Sequence, residues 1–380
     1  MSILSVSKRA ALLAVLLPTL GAVAGAQLAD RPLFVEARVP KPPTIATGST
    51  GSFLIYEVQV TSLDAKPLRW TRIDVMNGSA DGVVLLSVAD SALWRDLLRP
   101  AQGTIAFLDR ATLGGAQRAV LFLRVPIPDG ARVASLVHRL TMTDSTGART
   151  MVMRPVPVMQ EAIVIGPPLR GTNWFAANGP GNTSGHRRTH IPIEGEAGIA
   201  QRFAIDWVQM DTAFKTFQGD RLKNESYLAE DQDALAVLDG TVVATKDGIP
   251  ENVPGANSRA VPITLETVGG NHVILDIGKG HYAFYAHLRP GSLRVKVGDR
   301  VKKGAVVGKV GNSGNSTEPH LHFHIADANS PLGSEGLPYV IESLELVGAC
   351  RGFGQNCAFK APEARRRVMP LDAEIIRFPK

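Results

Sequence analysis

From Leu33 onward the chain is dominated by short runs of alternating apolar and polar residues, broken every few residues by glycine, proline or asparagine. Residues 53–60 (FLIYEVQV), 119–125 (AVLFLRV) and 136–142 (LVHRLTM) read as strands, and short strands spaced between turns favour a β-sandwich. The only helical pattern in that region is 89–98, with Asp90 as its candidate cap. Gly166-Pro167-Pro168, followed by Gly171, Asn173, Gly179, Pro180, Gly181 and Asn182, reads as a loop-forming linker. Beyond it the strands resume. The fold class is therefore mainly β: a β-sandwich-like accessory domain over 27–165, a linker over 166–182, an antiparallel β-sheet domain over 183–345, and a C-terminal extension over 346–380.

In the second half, 186–193 and 199–208 flank Glu194-Gly195-Glu196-Ala197-Gly198 and read as a hairpin. Centring its turn near Glu196 sets His190 opposite Arg202 and His186 opposite Asp206. Residues 235–244 and 295–310 are strand pairs interrupted by glycine-containing turns. Between them, 246–259 is rich in Gly, Pro and Asn and long enough to wall a groove.

The opening 1–26 has Lys8 and Arg9, an apolar stretch, and Ala24-Gly25-Ala26 before Gln27, the arrangement of a signal peptide cleaved on export. Its removal lowers the formal net charge of +6 by two. So mild a balance suits an anionic envelope surface and gives no ground for nucleic-acid binding. No later stretch is long or apolar enough to span a bilayer, so the expected location is the periplasm or the extracellular envelope. The two cysteines, Cys350 and Cys357, are expected to pair in a disulfide in that compartment. Glu363-Ala364-Arg365-Arg366-Arg367 reads as a solvated charged run.

The chemistry concentrates in Pro319-His320-Leu321-His322-Phe323-His324, which holds three of the chain's nine histidines. On a strand, His320, His322 and His324 share one face, and Leu321, Phe323 and Ile325 share the other. Asp206 lies in the apolar run FAIDWV, where a carboxylate is costly unless it is paired or bound to a metal. His322, Asp206 and a histidine of the first hairpin supply the three protein ligands that a hydrolytic zinc usually takes. The cross-strand pairing favours His186 as the third, with His190 as the alternative. In Tyr282-Ala283-Phe284-Tyr285-Ala286-His287-Leu288, alternation places Tyr285 and His287 on one face. Beside a metal, His287 and His320 have the chemistry of a general acid, base or oxyanion stabiliser. His138 is alone in its strand and reads as structural.

Tyr285-Ala286-His287-Leu288, Val297-Gly298-Asp299-Arg300-Val301-Lys302-Lys303-Gly304, Gly311-Asn312-Ser313-Gly314 and Pro319-His320-Leu321-His322-Phe323 follow one another in that order. The set resembles the lysostaphin-type (LytM-like) zinc metalloendopeptidases of bacterial cell walls, over roughly 183–327. The resemblance implies an antiparallel sheet with a groove, one zinc ion, and cleavage of peptidoglycan peptides. It makes His322 and Asp206 ligands, and His287 and His320 the catalytic pair. One position departs: the family usually places its first ligand four residues before the aspartate, where this chain has Arg202. His324 stands where many relatives carry Glu, and is expected to be structural or to support the ligands; His272 and His281 match nothing in the pattern. A non-catalytic wall-binding or hydrolase-regulating protein is the alternative function. A biotinyl- or lipoyl-type carrier is disfavoured, because the turn 311–314 has no lysine.

Overall fold

A computed structural model describes residues 32–100, 106, 109–256 and 258–379. The segment 1–26, expected to be a signal peptide, lies outside the described residues. No helix among the described residues is long and apolar enough to cross a membrane.

Alternation builds the N-terminal half as two antiparallel sheets. One runs Val35–Arg38, Gly51–Ser62, Arg118–Ile127, Leu97–Leu98, with Ala46–Gly48 against Gly51–Ser62. The other runs Gly147–Val152, Ser135–Asp144, Leu68–Asn77, Val84–Ala89, flanked by Val156–Pro157 and Thr112–Leu113. Trp70, Leu54, Tyr56, Val58, Leu121, Leu123 and Leu140 fill the space between them. The strand Gly51–Ser62 is buried on both faces, as its nearly continuous apolar run allows. Leu54 and Tyr56 point into the sandwich, while Phe53 and Ile55 join the core of the C-terminal half. The helix in this region is Asp90–Arg95; its N-cap is Ala89, and Asp90 is the first helical residue rather than the cap.

The C-terminal half is organised on a ten-stranded sheet. Its order is Arg300–Val301, Gly240–Lys246, Asn271–Asp276, Tyr282–Leu288, Leu321–Ala326, Ile205–Gln209, Gly171–Ala177, Glu374–Phe378, Leu344–Ala349, Ala358–Arg365. Two segments outside the proposed 183–345 domain contribute strands to it. Gly171–Ala177 lies within the stretch read as a linker, and two strands of 346–380 complete the far side. Cys350 and Cys357 are joined in a disulfide there, as expected.

The hairpin expected around Glu196 forms in a different register. Its strands are Ile191–Ile193 and Glu196–Gly198, with Ile193 opposite Glu196, so neither His186 with Asp206 nor His190 with Arg202 is a cross-strand pair within it. Glu194 and Gly195 both adopt positive φ, which moves the turn toward the N-terminus and shortens the arms. Asp206 instead sits in the central Ile205–Gln209 strand, directly opposite His322 on one side and Ala177 on the other.

Candidate active site and metal centre

The central strand Leu321–Ala326 follows the expected alternation. Leu321, Phe323 and Ile325 are fully buried in the core, with Tyr285, Ile205 and Trp207 among their companions. His322 and His324 occupy the opposite face and line a groove of about 460 Å³, together with His320, Asp206, His186 and His287. Register brings the carboxylate to the rings. With Asp206 opposite His322, the His322 Nδ1 lies 2.9 Å from Asp206 Oδ1.

His186 reaches the same point from a one-turn helix, Gly185–Arg188, that follows the Gly171–Ala177 strand. Its Nε2 lies 3.3 Å from Asp206 Oδ2. Asn178 organises this corner in a left-handed conformation (φ 53°) that asparagine tolerates better than most residues. Its carbonyl accepts hydrogen bonds from Ser184 Oγ at 2.9 Å and from His186 Nδ1 at 3.1 Å, and its Nδ2 donates to Asp206 Oδ2 at 2.8 Å. Sequence reasoning passed over Asn178 as part of a loop; the Asn-Gly pair at 178–179 is the signal that marks such a turn.

His186, Asp206 and His322 form a candidate metal site, with one ligand atom from each lying within 4.8 Å of the others. His190 is not part of it. Its Nε2 accepts from Gln59 Nε2 at 3.2 Å, on the side of the sandwich. Arg202 also turns away: it is buried, donates to Glu57 Oε2 at 2.7 Å and to the Gly336 carbonyl at 3.0 Å, and pairs with Glu335.

His287 and His320 stand beside the three candidate ligands. His320 Nε2 is 3.3 Å from Asp206 Oδ1, and its ring centroid is 4.9 Å from that of His287. Each ring donates its Nδ1 proton to a backbone carbonyl, His320 to Glu318 at 2.8 Å and His287 to Ser313 at 2.8 Å, which leaves Nε2 with the lone pair. His287 corrects the alternation argument. Tyr285 points into the core, whereas Ala286 and His287 both line the groove. Three residue steps from Tyr285 to Leu288 face two from Val273 to Asn271, so the strand bulges there, and His287 takes φ 64°. That conformation costs a non-glycine residue about 1–3 kcal/mol and is held here by the His287 N–H donating to the Gly269 carbonyl at 2.9 Å.

Electrostatics separate the groups. Burial raises the Asp206 carboxyl, but His186 and His320 outweigh it and hold the group well below the usual range. Burial, then the charges of His320 and His322, hold His287 well below an ordinary histidine. Burial acts the same way on His320, yet the Asp206 carboxylate prevails and raises it. His324 packs flat on Phe284 at 4.5 Å, and its Nδ1 lies 2.9 Å from His322 Nε2. His272 also lines the groove, and Arg259, at the end of the long 246–259 loop, contributes to its wall; His281 lines a separate cavity.

Residues 227–333 match the family model for peptidase family M23. A 56-residue stretch is 50% identical to the glycyl-glycine endopeptidase ALE-1 of Staphylococcus capitis, covering 14% of this chain and 15% of that protein. A 100-residue stretch is 30% identical to the peptidoglycan DD-endopeptidase ShyA of Vibrio cholerae, covering 26% and 23% respectively. The chain thus spans less than a quarter of the length of either relative. Among solved structures, the catalytic domain of the prophage-encoded M23 protein EnpA from Enterococcus faecalis is 22% identical, covering 44% of this chain and 90% of that one, with a TM-score of 0.27. The ordered histidine motifs, the β-sheet groove they line and the family match over 227–333 together place a lysostaphin-type (LytM-like) peptidase domain of family M23 in this chain.

Proposed function

We propose that the protein is an exported, zinc-dependent metalloendopeptidase that cleaves peptide bonds in bacterial peptidoglycan. The observation that carries this reading is the convergence of His186, Asp206 and His322 on one point, beside the Nε2 atoms of His287 and His320. The activities for which ALE-1 and ShyA are named, glycyl-glycine and peptidoglycan DD-endopeptidase, support a wall peptide as substrate. The cleavage signal at 24–26 and the disulfide support export to an oxidising compartment.

The donor set fits zinc. Two atoms at about 2.0–2.2 Å from one tetrahedral zinc lie about 3.3–3.6 Å apart; the 3.3 Å from His186 Nε2 to Asp206 Oδ2 matches that span, and the 2.9 Å from His322 Nδ1 to Asp206 Oδ1 is a few tenths of an ångström shorter. His186 donates Nδ1–H to Asn178 and His322 donates Nε2–H to His324, so each ring turns its remaining lone pair toward the metal position. A zinc ion held there would polarise the scissile carbonyl and lower the pKa of the attacking water. His320, its Nδ1 committed to Glu318, accepts the proton of that water at Nε2 and returns it to the departing amine. Burial keeps His287 from carrying a charge of its own. The Nε2 of His287, left as a lone pair because Nδ1 carries the proton given to Ser313, accepts a hydrogen bond from the attacking water and orients it.

Mass analysis of muropeptides after digestion of purified sacculi tests the proposal. Zinc-loaded protein should release products cut in the peptide with the glycan intact, and Asp206→Ala should release none and carry no stoichiometric zinc. A wild-type protein that carries one zinc and leaves sacculi unchanged across pH would overturn it. Arg202, standing where the resembled family has its first ligand, favours the second reading, a non-catalytic wall-binding protein. An unchanged zinc content in His186→Ala would support that reading.

A further inference from the structure

His186 is the ligand whose support comes from outside the sheet. Asp206 and His322 are fixed by direct strand pairing at the middle of the ten-stranded sheet. The helix Gly185–Arg188 is a single turn with no side-chain cap, far below the ~12–15 residues at which a helix holds itself. What holds it is the sandwich. Arg187, next to His186, is fully buried; its Nε donates to Glu57 Oε1 at 2.8 Å, and its Nη2 donates to the carbonyls of Tyr56 at 2.7 Å and Leu123 at 2.9 Å. Arg188 donates to the Arg95 carbonyl at 2.9 Å, with its guanidinium 5.1 Å from the Phe122 ring centre. On the approach to the helix, Asn182 donates to Asp96 Oδ2 at 2.8 Å and accepts from Arg187 Nη1 at 2.6 Å.

Glu57 is the hub of this contact. One carboxylate oxygen binds Arg187, beside the histidine at the candidate metal site, and the other binds Arg202, where the resembled family has its ligand. Burial opposes the charge of Glu57, and the guanidiniums of Arg202 and Arg187 overcome that and hold the carboxyl below its usual range. Adjacent residues cannot move independently on one helical turn. Metal–ligand bonds tolerate only about 0.2 Å of error, so a loosened Arg187 misplaces the His186 nitrogen.

We infer that Glu57 of the sandwich is a positioning residue for the metal site, acting through Arg187 to set His186, so that the accessory domain completes the ligand set of the peptidase half. The inference rests on the proposed ligands His186, Asp206 and His322. No sandwich residue lines the groove among the described residues, so the domain acts from behind the site rather than across it.

Titration of the metal-free full chain with Co²⁺ tests this, reading affinity and the visible absorption band, with amide hydrogen exchange over 184–190 alongside. Glu57→Gln should bind Co²⁺ about 10–100-fold more weakly, shift the band, and speed exchange in that stretch. Arg187→Lys keeps the charge but loses the fork of donors, and should show the same loss if Glu57→Gln does not fold. Glu335→Gln removes the outer partner of Arg202 at the same interface and should bind within about twofold of wild type. A folded Glu57→Gln or Arg187→Lys protein with wild-type affinity and spectrum overturns the inference, and so does an equal loss in Glu335→Gln. A wild-type chain that takes up no cobalt overturns the ligand set itself, and the role of Glu57 with it.

Discussion

His138 and His322 are both buried histidines on the inner strands of antiparallel sheets, one in each half of the molecule. They have little else in common. His138 is fully buried, and among the described residues its ring has one hydrogen-bonding partner, the Tyr56 hydroxyl, 2.8 Å from Nε2; its Nδ1 has none there. Burial pulls its pKa down to about 4. His322 is nearly as buried but lies 2.9 Å from a carboxylate, with the His186 and His287 ring centres 4.8 and 5.7 Å away. A buried ring alone is a neutral packing element with one polar contact. Several rings around one buried carboxylate share a point at which all of them can act, and it is that convergence, not burial, that separates a reactive half from a structural one.

The contrast is most exposed to His320→Ala, paired with His138→Gln. Loss of the His320 imidazole should lower muropeptide release about 10²–10⁴-fold while zinc content stays stoichiometric. His138→Gln should leave the rate per folded molecule unchanged. Wild-type turnover in His320→Ala would erase the distinction.

Acidification gives the next largest effect, and His138 carries the sandwich's share of it. The folded His138 stays neutral down to about pH 4, whereas the unfolded ring takes a proton near pH 6.5. The unfolded state therefore binds more protons between these values. The stability is fully present above pH 6.5 and declines as pH falls toward 4, by up to roughly 3 kcal/mol. The gap between urea midpoints at pH 7 and 4.5 should be wider in wild type than in His138→Gln; an unchanged gap would assign the acid sensitivity elsewhere.

The smallest effect sharpens the choice of ligand. His190→Ala, which removes a contact with Gln59, should leave zinc content intact and change stability by no more than about 0.5 kcal/mol. Loss of zinc in that variant would reverse the assignment to His186.

Where a stretch carries its own contrast, the sequence predicts the structure well. Residues 321–325 alternate apolar side chains with histidines, and the two faces of the strand follow that pattern. The expected cross-strand pairing of His186 with Asp206 does not occur; a helical turn held by the sandwich brings the ring to Asp206 instead. His287 could not be placed by period-2 reasoning, because a positive φ at a non-glycine residue leaves no trace in the hydrophobic pattern. Glu57 reads as the polar side of an ordinary strand. Its partners, Arg187 and Arg202, lie 130 and 145 residues further along, and no local signal couples them.

The position of Gly171–Ala177 bears on the order in which the ten-stranded sheet is completed. Trp174 pairs with Gln209 on one side and with Ile376 on the other. The first contact closes a short loop, whereas the second must close one of roughly two hundred residues, and such distant pairings form late. The strand that leads into the His186 helix is therefore locked on both edges only after residues 374–378 have been made and have docked. A growing chain can hold the histidine motifs of 285–324 in full while the strand that leads into the His186 helix still lacks one of its two edges.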